Sequence, residues 1–193
     1  ILFRLTSGCP NECAFCINGR ERMYSFPIEE VIAYIQRSHQ STGIRHFNNW
    51  DPNVIRFRPH LKKFLKRIGE LDADIHLRFD MGLEPDMIDD ETIELLKSGR
   101  VEAFTIPLES ASPDFAEFFA KPYTIISAIR ALERLKQANY DLSLCHASYI
   151  IGYPDEELLD VFTVYHIARH YNLISTPFPI AVLPNSPVFE RYG

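Results

Sequence analysis

The order of apolar runs constrains this chain more than any other feature. Six short strand-like runs, at residues 1–6, 44–48, 74–79, 101–108, 142–151 and 174–183, alternate with stretches of helical periodicity. The first helix opens at Ser25-Phe26-Pro27, with Pro27 suited to the first helical position. Ile28, Val31, Ile32 and Ile35 then share one buried face at i, i+3, i+4, i+7 spacing, and Gly43 ends the pattern. Residues 60–71 repeat it with Leu61, Phe64, Leu65 and Ile68. Asp89-Asp90 caps a third helix carrying Ile93, Leu95 and Leu96, with Gly99 at its C-terminal cap. A short helix starts at Ser112-Pro113, and longer ones cover 124–138 (Ile125, Ile129, Leu132, Leu135) and about 156–171. Such alternation specifies a parallel sheet with right-handed crossovers and helices outside. A full eight-stranded barrel takes about 250 residues, whereas this chain has 193. The expected fold is therefore α/β, an open (βα)6 partial TIM-like barrel, with a flat doubly wound sheet as the competing architecture. No Gly/Ser-rich linker divides the sequence, so one domain is expected over 1–193. Because the chain opens directly on strand-like residues, it is expected to be excised from a longer one.

The first strand leads straight into Ser7-Gly8-Cys9-Pro10-Asn11-Glu12-Cys13-Ala14-Phe15-Cys16. Three of the four cysteines lie here, spaced C-x-x-x-C-x-x-C, close enough for a single loop to wrap one metal centre. A structural zinc site closes on four ligands, and common ferredoxin-type clusters also take four cysteines. Three thiolates leave a coordination position open. Spacing alone leaves three readings standing: an iron–sulfur centre, a zinc site completed by a distant histidine such as His46 or His146, and a redox thiol pair. The fourth cysteine, Cys145, falls in the fifth strand-like run, where a small buried thiol is the default. His146 and Tyr149 lie on the same strand, and Trp50 sits in the loop after strand two.

In parallel α/β barrels functional groups lie at the C-terminal ends of the strands. The cysteines follow strand one, and Asn48, Asn49 and Asp51 follow strand two. Arg78 and Asp80 follow strand three, Glu109 and Ser110 strand four, Gly152 and Tyr153 strand five, and Asn185 strand six. The expectation is that these groups share one rim.

The cysteine spacing, with Gly8-Cys9-Pro10 before it and Phe15 just ahead of the last cysteine, resembles the radical S-adenosylmethionine (SAM) enzyme family. The resemblance continues through Leu108-Glu109-Ser110-Ala111-Ser112, Ile150-Ile151-Gly152-Tyr153-Pro154-Asp155-Glu156 and Leu183-Pro184-Asn185-Ser186-Pro187. These are similar to segments of the branch containing methylthiotransferases and cobalamin-binding members. It implies that Cys9, Cys13 and Cys16 hold a [4Fe–4S] cluster whose fourth iron binds SAM, and that Phe15 packs near the adenine. It implies a cluster electron that cleaves SAM to a 5′-deoxyadenosyl radical, which abstracts hydrogen from a substrate. The family's Gly-Gly-Glu segment, which holds the SAM ammonium, is replaced by Asn48-Asn49-Trp50-Asp51-Pro52-Asn53, so Asn49 and Asp51 are its candidate acceptors. Arg78 suits the SAM carboxylate, with Asp80 as its alternative ion-pair partner. Glu109, a carboxylate ending an apolar strand, suits the ribose or sulfonium, assisted by Ser110. Implied partners are a small-molecule or peptide substrate and an electron donor such as flavodoxin or ferredoxin. Methyl or methylthio transfer would need a cobalamin-binding or second-cluster domain, which lies outside these residues. A non-catalytic zinc or iron–sulfur scaffold is the reading from another class.

Composition narrows the partners. With 20 basic against 26 acidic residues the net charge is −6, which argues against an extended nucleic-acid surface. The basic run over 56–67 reads as the solvated face of an amphipathic helix. No apolar run approaches the roughly 20 residues of a membrane span. The clustered cysteines do not suit a secreted disulfide framework, so a cytoplasmic location is expected.

Overall fold

The computed structural model describes residues 1–192, with side chains described through Glu190. A short strand β1 (Leu2–Phe3) is followed by β2 (Thr6–Ser7), the cysteine loop and β3 (Tyr24–Ser25). Then come α1 (Ile28–Thr42), β4 (His46–Asn49), α2 (Arg58–Gly69), β5 (His76–Phe79), α3 (Asp90–Ser98) and β6 (Val101–Glu109). The remainder is α4 (Phe115–Phe118), α5 (Ile125–Gln137), β7 (His146–Ile151), α6 (Leu158–His170), β8 (Ile174–Pro179) and α7 (Pro187–Tyr192). Six strands form one sheet in the order β1-β4-β5-β6-β7-β8, and every neighbouring pair is parallel. This is sequential βα winding with no reversal of strand order, the topology of a partial barrel rather than a doubly wound sheet. Among the described residues no helix is long and apolar enough to cross a membrane.

The helices pack where their periodicity puts them. α1 buries Ile28, Val31, Ile32 and Ile35 and ends at Gly43, whose φ of 71° lets its N–H reach His39 O at 2.8 Å. Pro27 stands one residue earlier than expected, at the cap. α2 buries Leu61, Phe64, Leu65 and Ile68, while Lys62 pairs with Glu91 and Arg67 with Glu29 and Glu70. The basic run is thus a solvated face. In α5 the buried set is Ala128, Ala131, Leu132 and Leu135, so Ile129 is only half-buried and two alanines form the close contact instead.

Three boundaries differ from the sequence expectation. Residues 1–6 do not form one strand: β2 leaves the main sheet and pairs antiparallel with β3, Thr6 opposite Ser25, closing the base of the cysteine loop. The fifth strand starts at His146, so fully buried Cys145 precedes it, its thiol pushed up to about 11 by burial. The sixth ends at Pro179, and its prolines do not break it because β8 is an edge strand bonded only to β7. α7 ties back to the cysteine loop through Val188 N–H donating to Ala14 O at 3.1 Å.

Gly99 has φ −79°, so its role is close packing and not a left-handed cap; Arg100 takes the positive φ of 56°. A Cβ on Gly99 would meet Leu95 O and Leu65 Cδ2 at 2.8 Å each. Gly99→Ala is therefore expected to lower stability by roughly 1–3 kcal/mol, read as a lower urea midpoint at unchanged slope. Asp89 caps α3 by accepting from Thr92 N–H at 2.9 Å and pairs with Arg58. Burial opposes its ionisation, but Arg58 and Thr92 outweigh that and hold the carboxyl at about 2 against an ordinary 3.8. A depressed carboxyl stabilises the fold above its unfolded value and loses that contribution as pH falls through its folded value. Stability should fall as pH drops from near 3.8 towards about 2, and Asp89→Asn should flatten that part of an acid-unfolding curve.

A candidate iron–sulfur and SAM site at the strand ends

Glycine decides how the cysteine loop leaves β2. Gly8 has φ 83°, and a Cβ there would lie 2.4 Å from Arg22 O. The loop is then laced by main-chain bonds: Glu21 N–H to Cys9 O at 2.9 Å, Arg20 N–H to Asn11 O at 2.8 Å, and Ala14 N–H to Phe119 O at 2.8 Å. Cys9 and Cys13 are buried and Cys16 half-buried. All three line one cavity of about 220 Å³ with Asn11, Asn53, Glu84, Glu109, Lys121 and Tyr123. Burial pushes the Cys13 thiol up to about 11. Asn18 N–H approaches Cys16 Sγ at 3.4 Å, and the Asn53 amide approaches Cys9 Sγ at 3.4 Å.

A larger cavity of about 560 Å³ adjoins it, sharing Phe15, Met81, Glu109 and Ser148. Its polar floor is Asp80, Thr105, His146, Ser148 and Thr176; its apolar wall includes Trp50, Ile150 and Phe178. The period-2 alternation of β7 and β8 puts His146, Ser148 and Ile150, and Thr176 and Phe178, on the same inner face. Phe15 stands at the junction of the two cavities, packed 5.7 Å from Phe119 and 6.4 Å from Phe115 between ring centroids.

Glu109 is the most constrained residue of the site. It ends β6 at φ 59°, a left-handed conformation that a non-glycine residue adopts only where its surroundings hold it, and the register with β7 shifts beside it. Its carboxylate pairs with Lys121 Nζ at 2.5 Å and accepts from Tyr123 OH at 3.3 Å. Lys121 lies over the rings of Phe15 and Tyr123, 5.2 and 4.9 Å from their centroids. Burial works against the Lys121 charge, but Glu109 outweighs it and holds the ammonium above its usual range.

Other expected site residues have different placements. Asp51, expected as an ammonium acceptor, anchors the backbone: its buried carboxylate accepts from Leu5 N–H at 3.1 Å, Thr6 N–H at 2.7 Å and Thr6 Oγ1 at 2.9 Å. Asn49 Oδ1, the acceptor an ammonium would need, accepts from Asp51 N–H at 3.2 Å, and Asn49 lines neither cavity. Arg78 lines neither cavity and pairs with Asp80 at 3.3 Å and Glu102 at 3.9 Å. Ser110 also lines neither; its hydroxyl meets Tyr153 OH at 2.6 Å and Ser112 N–H at 3.0 Å, fixing the turn after β6. His46 pairs with Glu102 at the opposite ends of the strands, and His146, its Nδ1 3.0 Å from Thr176 Oγ1, lines the larger cavity; neither lines the cavity that the thiols line. Sequence reasoning missed Asn53, Glu84, Lys121 and Tyr123. The available signal was a lone lysine within an aromatic-rich stretch, Phe115 to Tyr123.

The donor set fits an iron–sulfur cluster. Three thiols lining one cavity suit a multi-iron centre with one iron left to another ligand. A parallel partial barrel with such a loop at its strand ends defines a class of iron–sulfur α/β-barrel enzymes. The Radical SAM superfamily model matches residues 3–164, and the chain belongs to that superfamily, whose members use a [4Fe–4S] cluster and SAM. An uncharacterised methyltransferase of Pyrococcus horikoshii is 26% identical over 183 residues, covering 89% of this chain and 38% of its own length. The tRNA-2-methylthio-N(6)-dimethylallyladenosine synthase of Fusobacterium nucleatum is 26% identical over 174 residues, covering 83% and 39%. The radical SAM methyltransferase TsrM from Kitasatospora setae, solved with cobalamin and a [4Fe–4S] cluster bound, shares the fold. Its TM-score is 0.82, over 97% of this chain and 35% of TsrM at 16% identity. The chain thus spans about two-fifths of the length of the curated relatives it matches.

Lys121 and Glu109 side chains are each 11% exposed. Removing one partner of such a buried pair leaves the other charge uncompensated. Lys121→Met should destabilise the protein by roughly 3–5 kcal/mol, and adding Glu109→Gln should recover part of that loss in urea unfolding.

Proposed function

We propose that this chain is the core of a radical SAM enzyme in which Cys9, Cys13 and Cys16 hold a [4Fe–4S] cluster and SAM occupies the adjoining cavity. The observation that carries the proposal is that the three-cysteine cavity opens on the larger one through shared Phe15, Met81, Glu109 and Ser148. When bound, the cluster supplies one electron that cleaves SAM to methionine and a 5′-deoxyadenosyl radical, which takes hydrogen from an unactivated carbon. The protein's part is position and exclusion of water. Phe15 walls the adenine side, and Glu109, fixed by Lys121, accepts from the ribose hydroxyls or balances the sulfonium. Of the 48–53 segment, Asn53 takes the ammonium in place of Asn49 and Asp51. It lines the cysteine cavity, and its Oδ1 is buried without a partner among the described residues. The substrate is a small molecule or peptide entering the polar floor around Asp80 and His146. A cytoplasmic flavodoxin or ferredoxin supplies the electron.

The relatives named above favour a second reading, methyl or methylthio transfer, which requires cobalamin or a second cluster held by a further domain. Their being enzymes argues against a non-catalytic scaffold.

Anaerobically reconstituted protein should show broad iron–sulfur absorption and, with dithionite, release 5′-deoxyadenosine from SAM. Cys13→Ala should lose both properties. Iron-free protein holding one tight zinc would sink the proposal. A substrate mass gain of a methyl or methylthio group would select the second reading.

A further inference from the structure

Beside the cysteine loop lies a polar chain whose N–H donors are distinct from Asn53 Oδ1, the one atom of it assigned above to SAM. Arg56 Nη2 pairs with Glu84 Oε2 at 2.5 Å. Glu84 Oε1 accepts from the side-chain amides of both Asn53 and Asn11. The Asn53 amide also reaches Cys9 Sγ, at 3.4 Å. Asn53 and Glu84 are each 5% exposed. The orientation of the Asn53 amide follows from chemistry: an ionised carboxylate only accepts, so the atom facing Glu84 is the NH2 group. That group has two hydrogens, one for Glu84 and one for the sulfur. The amide oxygen is left without a partner among the described residues, so its own hydrogen bonding does not set the orientation.

We propose that Asn53, oriented by the Arg56–Glu84 pair, is a positioning residue for the iron–sulfur centre, donating an N–H···S hydrogen bond to Cys9 that raises the cluster's reduction potential. The inference rests on the cluster reading above. A hydrogen bond to a thiolate ligand stabilises the more negative, reduced state over the oxidised one, and hydrogen bonds to cluster sulfurs are among the factors that set potential. Arg56 pairs with one Glu84 oxygen, the other holds the amide turned, and the amide meets the ligand sulfur.

The test is an EPR-monitored redox titration of the reconstituted full chain without SAM, so that SAM binding does not enter. Asn53→Leu removes the donor at similar volume. With cluster content equal to the unsubstituted protein, its midpoint should fall by about 59 mV, a roughly tenfold loss of reduced over oxidised cluster at fixed poise. Glu84→Gln should shift it in the same direction by less. An unchanged midpoint in Asn53→Leu at full iron content overturns the inference while leaving the cluster reading intact. Absence of a cluster in the unsubstituted protein overturns both. Should the variants fail to fold, the unsubstituted protein still decides. Grown with asparagine carrying ¹⁵N only in its side-chain amide, which keeps the Asn18 main-chain N–H silent, its reduced cluster should show a ¹⁵N coupling in pulsed EPR. No coupling overturns the proposal.

Discussion

The site depends on one buried carboxylate that lines neither of its cavities. Asp51, on the loop after β4, receives Leu5 N–H, Thr6 N–H and the Thr6 hydroxyl. Of these, Leu5 N–H is the donor in phase to continue the ladder, in which Ile1 O and Phe3 O accept from Asn48 and Trp50 N–H. Capturing the Leu5 donor ends β1 after two residues and sends the chain sideways into the β2–β3 hairpin, from which the cysteine loop hangs. Burial pushes the Asp51 carboxyl up, while the bonds from Thr6, Asn49 and Leu5 pull it back. A buried acidic group is tolerable here because both carboxylate oxygens have donors.

Around the cysteines the charges are arranged in compensated pairs. Glu109 has Lys121, and Glu84 has Arg56. Both carboxylates line the cavity that the three thiols line. An anionic centre with three thiolates would add further negative charge, so cations buried nearby are what such a cavity needs. The left-handed backbone of Glu109 fits the same economy: local strain is retained where the surroundings fix a functional group.

Much of the scaffold was legible. α1 and α2 bury the residues their spacing assigned, because a helix packed on a sheet must show its apolar face every three to four residues. The cysteine loop was legible because three soft ligands at that spacing have few structural uses. The β2–β3 hairpin was not, since two-residue strands carry no periodicity. The contacts of Asp51 and Arg78 were not legible for a related reason. A polar residue at a strand end can face the cavity, the backbone or a neighbouring charge, and sequence position does not distinguish them.

What the sequence determined by itself is the order of βα units and the presence of three thiols on the loop after the first strand, because both follow from local spacing. What only the tertiary structure decided is which distant polar groups meet those thiols. Lys121 is over a hundred residues from Cys13 in sequence yet lines the same cavity, as do Asn53 and Glu84. Parallel winding brings them together by aligning the C-terminal ends of successive strands, and burial then admits only those polar groups whose charges and hydrogen bonds are matched.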